Sequence, residues 1–211
     1  MKLTQTQLTK LEKVLNGRKA TTEQLEFITE GIKTLMEVCG RPLDAETEES
    51  PFRILKAYLE LTDGYCEDPS KHLNKLFDVD VANDVVLVKN IPFNSLCSHH
   101  ALPFFGKVHI AYVPKNKVTG LSKFGRLVDG YSHRFQTQEV LTKQIANAIE
   151  DVLDTSGVMV IVTGEHMCMS LRGIKKMGAE TTTIYSSGCL DTHEKRNEVI
   201  DMINLHKGLI R

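Results

Sequence analysis

The sequence lacks a surplus of either charge. Its 26 Lys and Arg residues stand against 27 Asp and Glu, a formal net charge of −1, which excludes the broad basic surface of a dedicated nucleic-acid or anionic-membrane binder. Any anion site must be local. There is also no long apolar run: nothing approaches the ~20 residues of a membrane span, and the polar segment Met1 to Asn16 has no signal-peptide core. Neither nucleic acid nor membrane is expected as a partner, and the expected location is cytoplasmic. No disulfide framework is visible, because the 5 cysteines (Cys39, Cys66, Cys97, Cys168, Cys189) are odd in number and scattered, a usage that suits a reducing compartment and leaves thiols free for metal or chemistry. Internal repeats and low-complexity tracts are absent as well. What is present is globular: 41% hydrophobic and 25% charged residues in a 211-residue chain, enough to bury a core without metal or disulfide staples.

Hydrophobic periodicity divides the chain. Residues 4 to 39 read as helical, with Leu8, Leu11, Val14 and Leu15, a break at Asn16-Gly17, then Leu25, Ile28, Ile32, Leu35 and Met36. Thr47 to Pro51 supplies start signals for another helix that Asp63-Gly64 ends, and the segment from Cys66 to Asp84 reads as connective. From Val85 the period changes to that of strands, first Val85 to Val88 and then Val108 to Tyr112. Helical patterns return from Ser122 to Phe135 and from Gln138 to Val152, followed by strands at Val158 to Thr163 and Thr181 to Tyr185 and a closing helix after Asp191. Paired strands separated by paired helices predict an α+β fold, an antiparallel sheet with helices on one face. The expected division is a helical region over 1–65 and a catalytic domain over 66–211.

Four clusters carry chemistry. In Cys97-Ser98-His99-His100 a turn can aim a thiolate and the imidazole three residues on at one point, with His99 projecting elsewhere. Taken alone, these residues also fit a buried cysteine beside solvated histidines. In His166-Met167-Cys168, expected in a strand, residues two apart share a face. If Cys97, His100 and Cys168 converge, they form a Cys2His set that leaves a fourth position open to water, the arrangement of a catalytic zinc. Lys123 and Arg126 in one helix, with Arg172, Lys175 and Lys176 after the second cluster, suit a polyphosphate or simply a solvated face. Glu139, beside Gln138 at a helix start, suits the helix dipole. It equally suits guanine, whose adjacent N1–H and N2–H donors match one carboxylate.

Taken together, Cys97-Ser98-His99-His100-Ala101-Leu102-Pro103-Phe104-Phe105-Gly106-Lys107, Gly120-Leu121-Ser122-Lys123, Gln136-Thr137-Gln138-Glu139 and His166-Met167-Cys168-Met169-Ser170-Leu171-Arg172-Gly173 resemble GTP cyclohydrolase I over roughly residues 22 to 204. The resemblance implies the tunnelling fold, with a four-stranded antiparallel sheet, two helices on one face and an N-terminal helical extension. It implies a toroidal homo-oligomer, usually a decamer, with active sites at subunit interfaces. The implied reaction converts GTP and water to formate and 7,8-dihydroneopterin triphosphate, a first step shared by pterin, folate and deazaguanine synthesis. By motif, Cys97, His100 and Cys168 would bind Zn2+, and His99 and His166 would serve as general acid and base. Glu139 would hold the guanine edge, Gln138 and Ser122 would contact the ribose region, and Lys123, Arg126 and Arg172 would bind triphosphate. Arg53 would reach a neighbouring subunit's site.

Two positions depart from the family pattern. Ser98 stands where glutamate is common, which removes a carboxylate beside the ligands. Cys189-Leu190 stands where an aromatic residue is frequent, so the packing there is expected to differ. The remaining histidines (His72, His109, His133, His193, His206) match no ligand spacing and are expected to be structural or at the surface. The alternative from another class is a zinc-containing guanine-nucleotide-binding module with little or no turnover, from which formate release would separate the enzyme.

Overall fold

The computed structural model describes residues 1–79 and 84–205. It divides into two compact units, Met1–Cys66 and Glu67–Arg211. In the first, α1 (Gln5–Leu15), α2 (Thr22–Val38) and α3 (Ser50–Glu60) form in response to local signals. Thr4 and Thr21 are N-caps of full capping boxes with Gln7 and Gln24, each satisfying two otherwise unpaired N–H groups. Asn16 ends α1 in the left-handed conformation at φ 48, and Pro51 occupies the first turn of α3, where no N–H is needed. Leu11, Leu15, Leu25, Phe52 and Leu55 form the core. The Arg18 guanidinium ties helix ends together by donating to the carbonyls of Val14, Leu15, Leu59 and Thr62.

The second unit is built on β2 (Val86–Cys97), β3 (Pro103–Pro114), β6 (Thr155–His166) and β7 (Glu180–Gly188), antiparallel and in that order across the sheet. The expected four-stranded sheet gains a fifth member, the two-residue strand β5 (Phe135–Gln136), which pairs parallel with the end of β2 at Leu96 and Cys97. The segment expected to be only connective contains a 3₁₀ turn (Pro69–Asn74) and β1 (Leu76–Asp78), which pairs with β4 (Lys117–Thr119) in a separate small sheet. Helices α4 (Leu121–Ser132) and α5 (Gln138–Val152) lie on one face, where Phe124, Leu127, Leu141, Ile145 and Ile149 meet Val108, Ile110, Val160 and Val162. Each such fully buried side chain contributes about 1.5–3 kcal/mol relative to exposure. The opposite face also has an apolar layer: Ala111, Val113, Met159 and Ile161 pack with Val199 of α7 (His193–Asn204). Leu190, the departure after Gly188, is fully buried in that layer. Among the described residues no helix is long and apolar enough to cross a membrane.

β2 is longer than its sequence predicts. A bulge between Val88 and Ile91 puts Asn90 at φ 61 and lets the strand continue through Pro92 to Cys97. The Asn90 N–H donates to Nδ1 of His109 at 3.3 Å. His109 is buried, as expected of a structural histidine, and burial first, then the charges of Lys107 and Lys89, push its imidazole below the ordinary range. His72 pairs with Glu67 and His193 with Asn197, whereas His206 lies outside the described residues.

A lowered histidine pKa means that, as pH falls from the unfolded value of about 6.5, the unfolded chain takes up the proton first. Stability is therefore complete above that value and is lost as pH drops toward the folded one. The expected result is that the stability of the parent falls more steeply below pH ~6.5 than that of H109Q. Urea unfolding at a series of pH values provides the measurement, and parallel slopes would show that His109 does not carry the pH dependence.

Candidate active site

The end of β2 and a tight turn create the first half of the site. The Cys97 carbonyl accepts N–H bonds from His100 at 3.3 Å and Ala101 at 2.8 Å, with Ala101 at φ 54. The Ser98 N–H donates to the Gln136 carbonyl of β5 at 2.9 Å. This turn brings Cys97 Sγ to 3.6 Å from His100 Nδ1. His99 does not project clear of the pair, because its Nδ1 is 3.9 Å from the same sulfur.

The second half comes from the other end of the sheet. The expectation that His166, Met167 and Cys168 share a strand is incorrect: β6 ends at His166, and Met167–Ser170 forms the single helical turn α6. The two side chains still line one cleft, but a change from strand to helix brings them there rather than strand alternation. The ligand atoms of Cys97, His100 and Cys168 all lie within 4.8 Å of one another. Tetrahedral Zn–S and Zn–N bonds would separate a sulfur from a nitrogen by about 3.6 Å, the separation of Cys97 from His100. Burial, then the neighbouring Cys97, pushes the Cys168 thiol up. A bound dication would oppose that shift, since its charge favours the thiolate.

His166 is held on two sides. Its ring stacks on Phe104 with centroids 4.5 Å apart and planes 4° from parallel, and its Nε2 is 2.9 Å from Gln138 Oε1. The Gln138 amide is 1% exposed, and its nitrogen donates to the carbonyls of Val162 at 3.0 Å and Thr181 at 2.9 Å. Two carbonyl partners define which end of the amide is the donor, so Oε1 must accept and His166 Nε2 must carry the proton. The lone pair is then on Nδ1. Burial lowers the imidazole pKa, opposed by the Glu139 carboxylate, which favours the neutral ring, the form able to take a proton.

The cleft, about 250 Å³, is lined by Cys97, His99, His100, Gln138, Glu139, His166 and Cys168, together with Gln136, Thr137, Met169 and Thr181. Seven of the residues singled out from sequence are brought together. Glu139 lies in the first turn of α5, which Thr137 caps by accepting the Val140 N–H. Ser122, Lys123 and Arg126, in the first turns of α4, and the exposed Arg172, after α6, do not line this cleft. Arg53 lies in α3 of the first unit and pairs with Glu49 at 2.7 Å. Phe104 carried no signal beyond an apolar position in a strand, yet it supplies the surface against which His166 stacks.

An α+β sheet whose cleft brings together two cysteines and a histidine able to hold a metal ion, beside His166 and Glu139, fits a metal-dependent enzyme. The family described as GTP cyclohydrolase I matches residues 28–204, and the chain belongs to that enzyme family. A GTP cyclohydrolase 1 from Clostridium perfringens (strain 13 / Type A) is 47% identical over 182 residues, covering 85% of this chain and 98% of the relative. The GTP cyclohydrolase 1 of Clostridium kluyveri (strain ATCC 8527 / DSM 555 / NBRC 12016 / NCIMB 10680 / K1) is 44% identical over 180 residues, 84% of this chain and 97% of that one. Among solved structures, the archaeosine synthase QueF-Like in the apo form is similar with a TM-score of 0.40 and 22% identity, over 49% of this chain and 93% of that chain.

Proposed function

We propose that the chain hydrolyses GTP at C8 of the purine, giving formate and 7,8-dihydroneopterin triphosphate with Zn2+ held by Cys97, His100 and Cys168. The observation that carries this reading is the convergence of those three ligand atoms with His166 and Glu139 on one cleft. When bound, zinc supplies the Lewis acidity that makes water deprotonable near neutral pH. Glu139 holds the guanine edge through N1–H and N2–H and sets the purine against the ligands. His166, neutral and oriented by Gln138, accepts a proton at Nδ1, and His99 is the second acid–base group. Ser122 serves the ribose region, Gln138, whose amide is already taken up by His166 and two carbonyls, acts by holding that histidine, and Lys123, Arg126 and Arg172 bind the triphosphate.

The cations lie off the cleft, which suits a site completed by neighbouring copies: a tunnelling-fold ring, a decamer, in which Arg53 reaches an adjacent subunit's substrate. The cytoplasm, where free thiols persist and GTP is present, is the proposed location. Formate release from GTP by zinc-loaded protein, together with a new pterin absorbance, is the expected result. GTP binding with no formate would leave a nucleotide-binding module in place of the enzyme.

A further inference from the structure

The segment between β6 and β7 carries Cys168 and three cations, and one carboxylate behind the sheet ties it down. Glu165 and His166 are consecutive in β6, so their side chains leave opposite faces. His166 lines the catalytic cleft, and Glu165 lines a larger cleft of about 710 Å³ on the other face. Glu165 Oε1 accepts the Ser170 hydroxyl at 2.7 Å and the Gly178 N–H at 3.0 Å. Ser170, 3% exposed, is the last residue of the helical turn that contains Cys168. Gly178, at φ +75, stands two residues before β7. A single oxygen thus pins the start and the end of the segment.

Between the pins the backbone closes on itself. The Lys176 N–H donates to the Met169 carbonyl at 3.0 Å, and the Lys175 N–H to that of Arg172 at 3.3 Å. Lys175 and Gly173 both have positive φ. Such a path is costly for the lysine and persists only where its surroundings hold it. Arg172, Lys175 and Lys176 are exposed along this path. Glu165 uses its oxygen on an O–H and an N–H, so it orders the segment without drawing on the charge of those cations. A direct ion pair would have cancelled part of the charge that an anion needs.

We propose that Glu165 is a positioning residue: by clamping Ser170 and Gly178 it sets where the helical turn places Cys168 and where the loop holds Arg172, Lys175 and Lys176 against the polyphosphate tail of the substrate. This rests on the reading of Arg172 as a triphosphate ligand, and the test keeps the two apart. The measurements are inhibition of the zinc-loaded enzyme by inorganic tripolyphosphate, the KM and kcat for GTP, and zinc affinity by chelator competition.

In E165A the tripolyphosphate inhibition constant and the GTP KM should rise about tenfold, with a smaller change in kcat and weaker zinc binding. E165Q keeps an acceptor oxygen and should stay within about threefold of the parent. R172A tests the phosphate reading itself: an unmoved inhibition constant there overturns that reading. A constant that moves in R172A but not in E165A overturns the role of Glu165, as does an E165A that only melts earlier. E165Q as impaired as E165A would mean that charge acts instead of the clamp, and also overturns it. If E165A does not fold, S170A removes one of the two donors and must shift the inhibition constant the same way; an unchanged S170A overturns the proposal.

Discussion

Replacing Cys168 by serine is expected to remove zinc and GTP turnover together while leaving the fold in place. Cys168 is one of three ligand atoms within 4.8 Å of one another, and it sits in a one-turn helix that does not belong to the sheet. A serine hydroxyl is a harder donor than a thiol and stays protonated near neutral pH, so two ligands remain where three are needed. Zinc sites of four protein ligands hold the metal with about 10–16 kcal/mol, so loss of one ligand should cost about 3 kcal/mol, or over a hundredfold in affinity. Turnover should fall by at least about a thousandfold, because proton removal from water near neutral pH depends on the metal. The checks are metal content after dialysis, formate release, and the thermal midpoints of variant and parent after chelator treatment, which should coincide. A folded C168S protein with full zinc occupancy would overturn the ligand assignment.

The second large effect is expected at Glu139. Thr137 caps α5 by accepting the Val140 N–H, and the carboxylate at the cleft adds a small stabilising role through the helix dipole, at most ~1 kcal/mol. E139Q keeps one acceptor but sets an NH2 donor against a guanine donor. That mispairing should weaken GTP binding by roughly 2–4 kcal/mol, about 30-fold to 1000-fold. Contacts to the triphosphate are unaffected by the change, so discrimination between GTP and ATP should narrow as GTP affinity falls. Equilibrium binding of both nucleotides to zinc-loaded parent and variant, at fixed pH and salt, gives the comparison. Unchanged affinity and selectivity in a folded, metal-replete E139Q protein would leave Glu139 as a helix-terminal charge.

These two residues differ in how far sequence alone could take them. Glu139 is legible as a choice between dipole and guanine. Cys168 is legible as a ligand candidate beside His166, but strand alternation is not the geometry that brings it there. The β-branched run Val158 to Thr163 gives no signal that pairing stops at His166, after which Met167–Ser170 turns into a short helix pinned by Glu165. The second half of β2 shows the opposite failure. Asn90, Pro92 and Asn94 break any alternation, yet pairing with β3 and a bulge carry the strand on to Cys97.

Sequence by itself determined the α+β class, the longer helices, the cysteine and histidine candidates and the acid at the head of α5. Each of these rests on interactions within a turn or two of chain, where spacing is geometry. Only the tertiary structure decided that Gln138 orients His166 across 28 residues of sequence, that Phe104 stacks beneath that ring, and that Glu165 clamps Ser170 and Gly178. The physical reason is that a hydrogen bond or ring contact between distant segments depends on sheet register and strand ends, and no local pattern of residues encodes where a strand must stop.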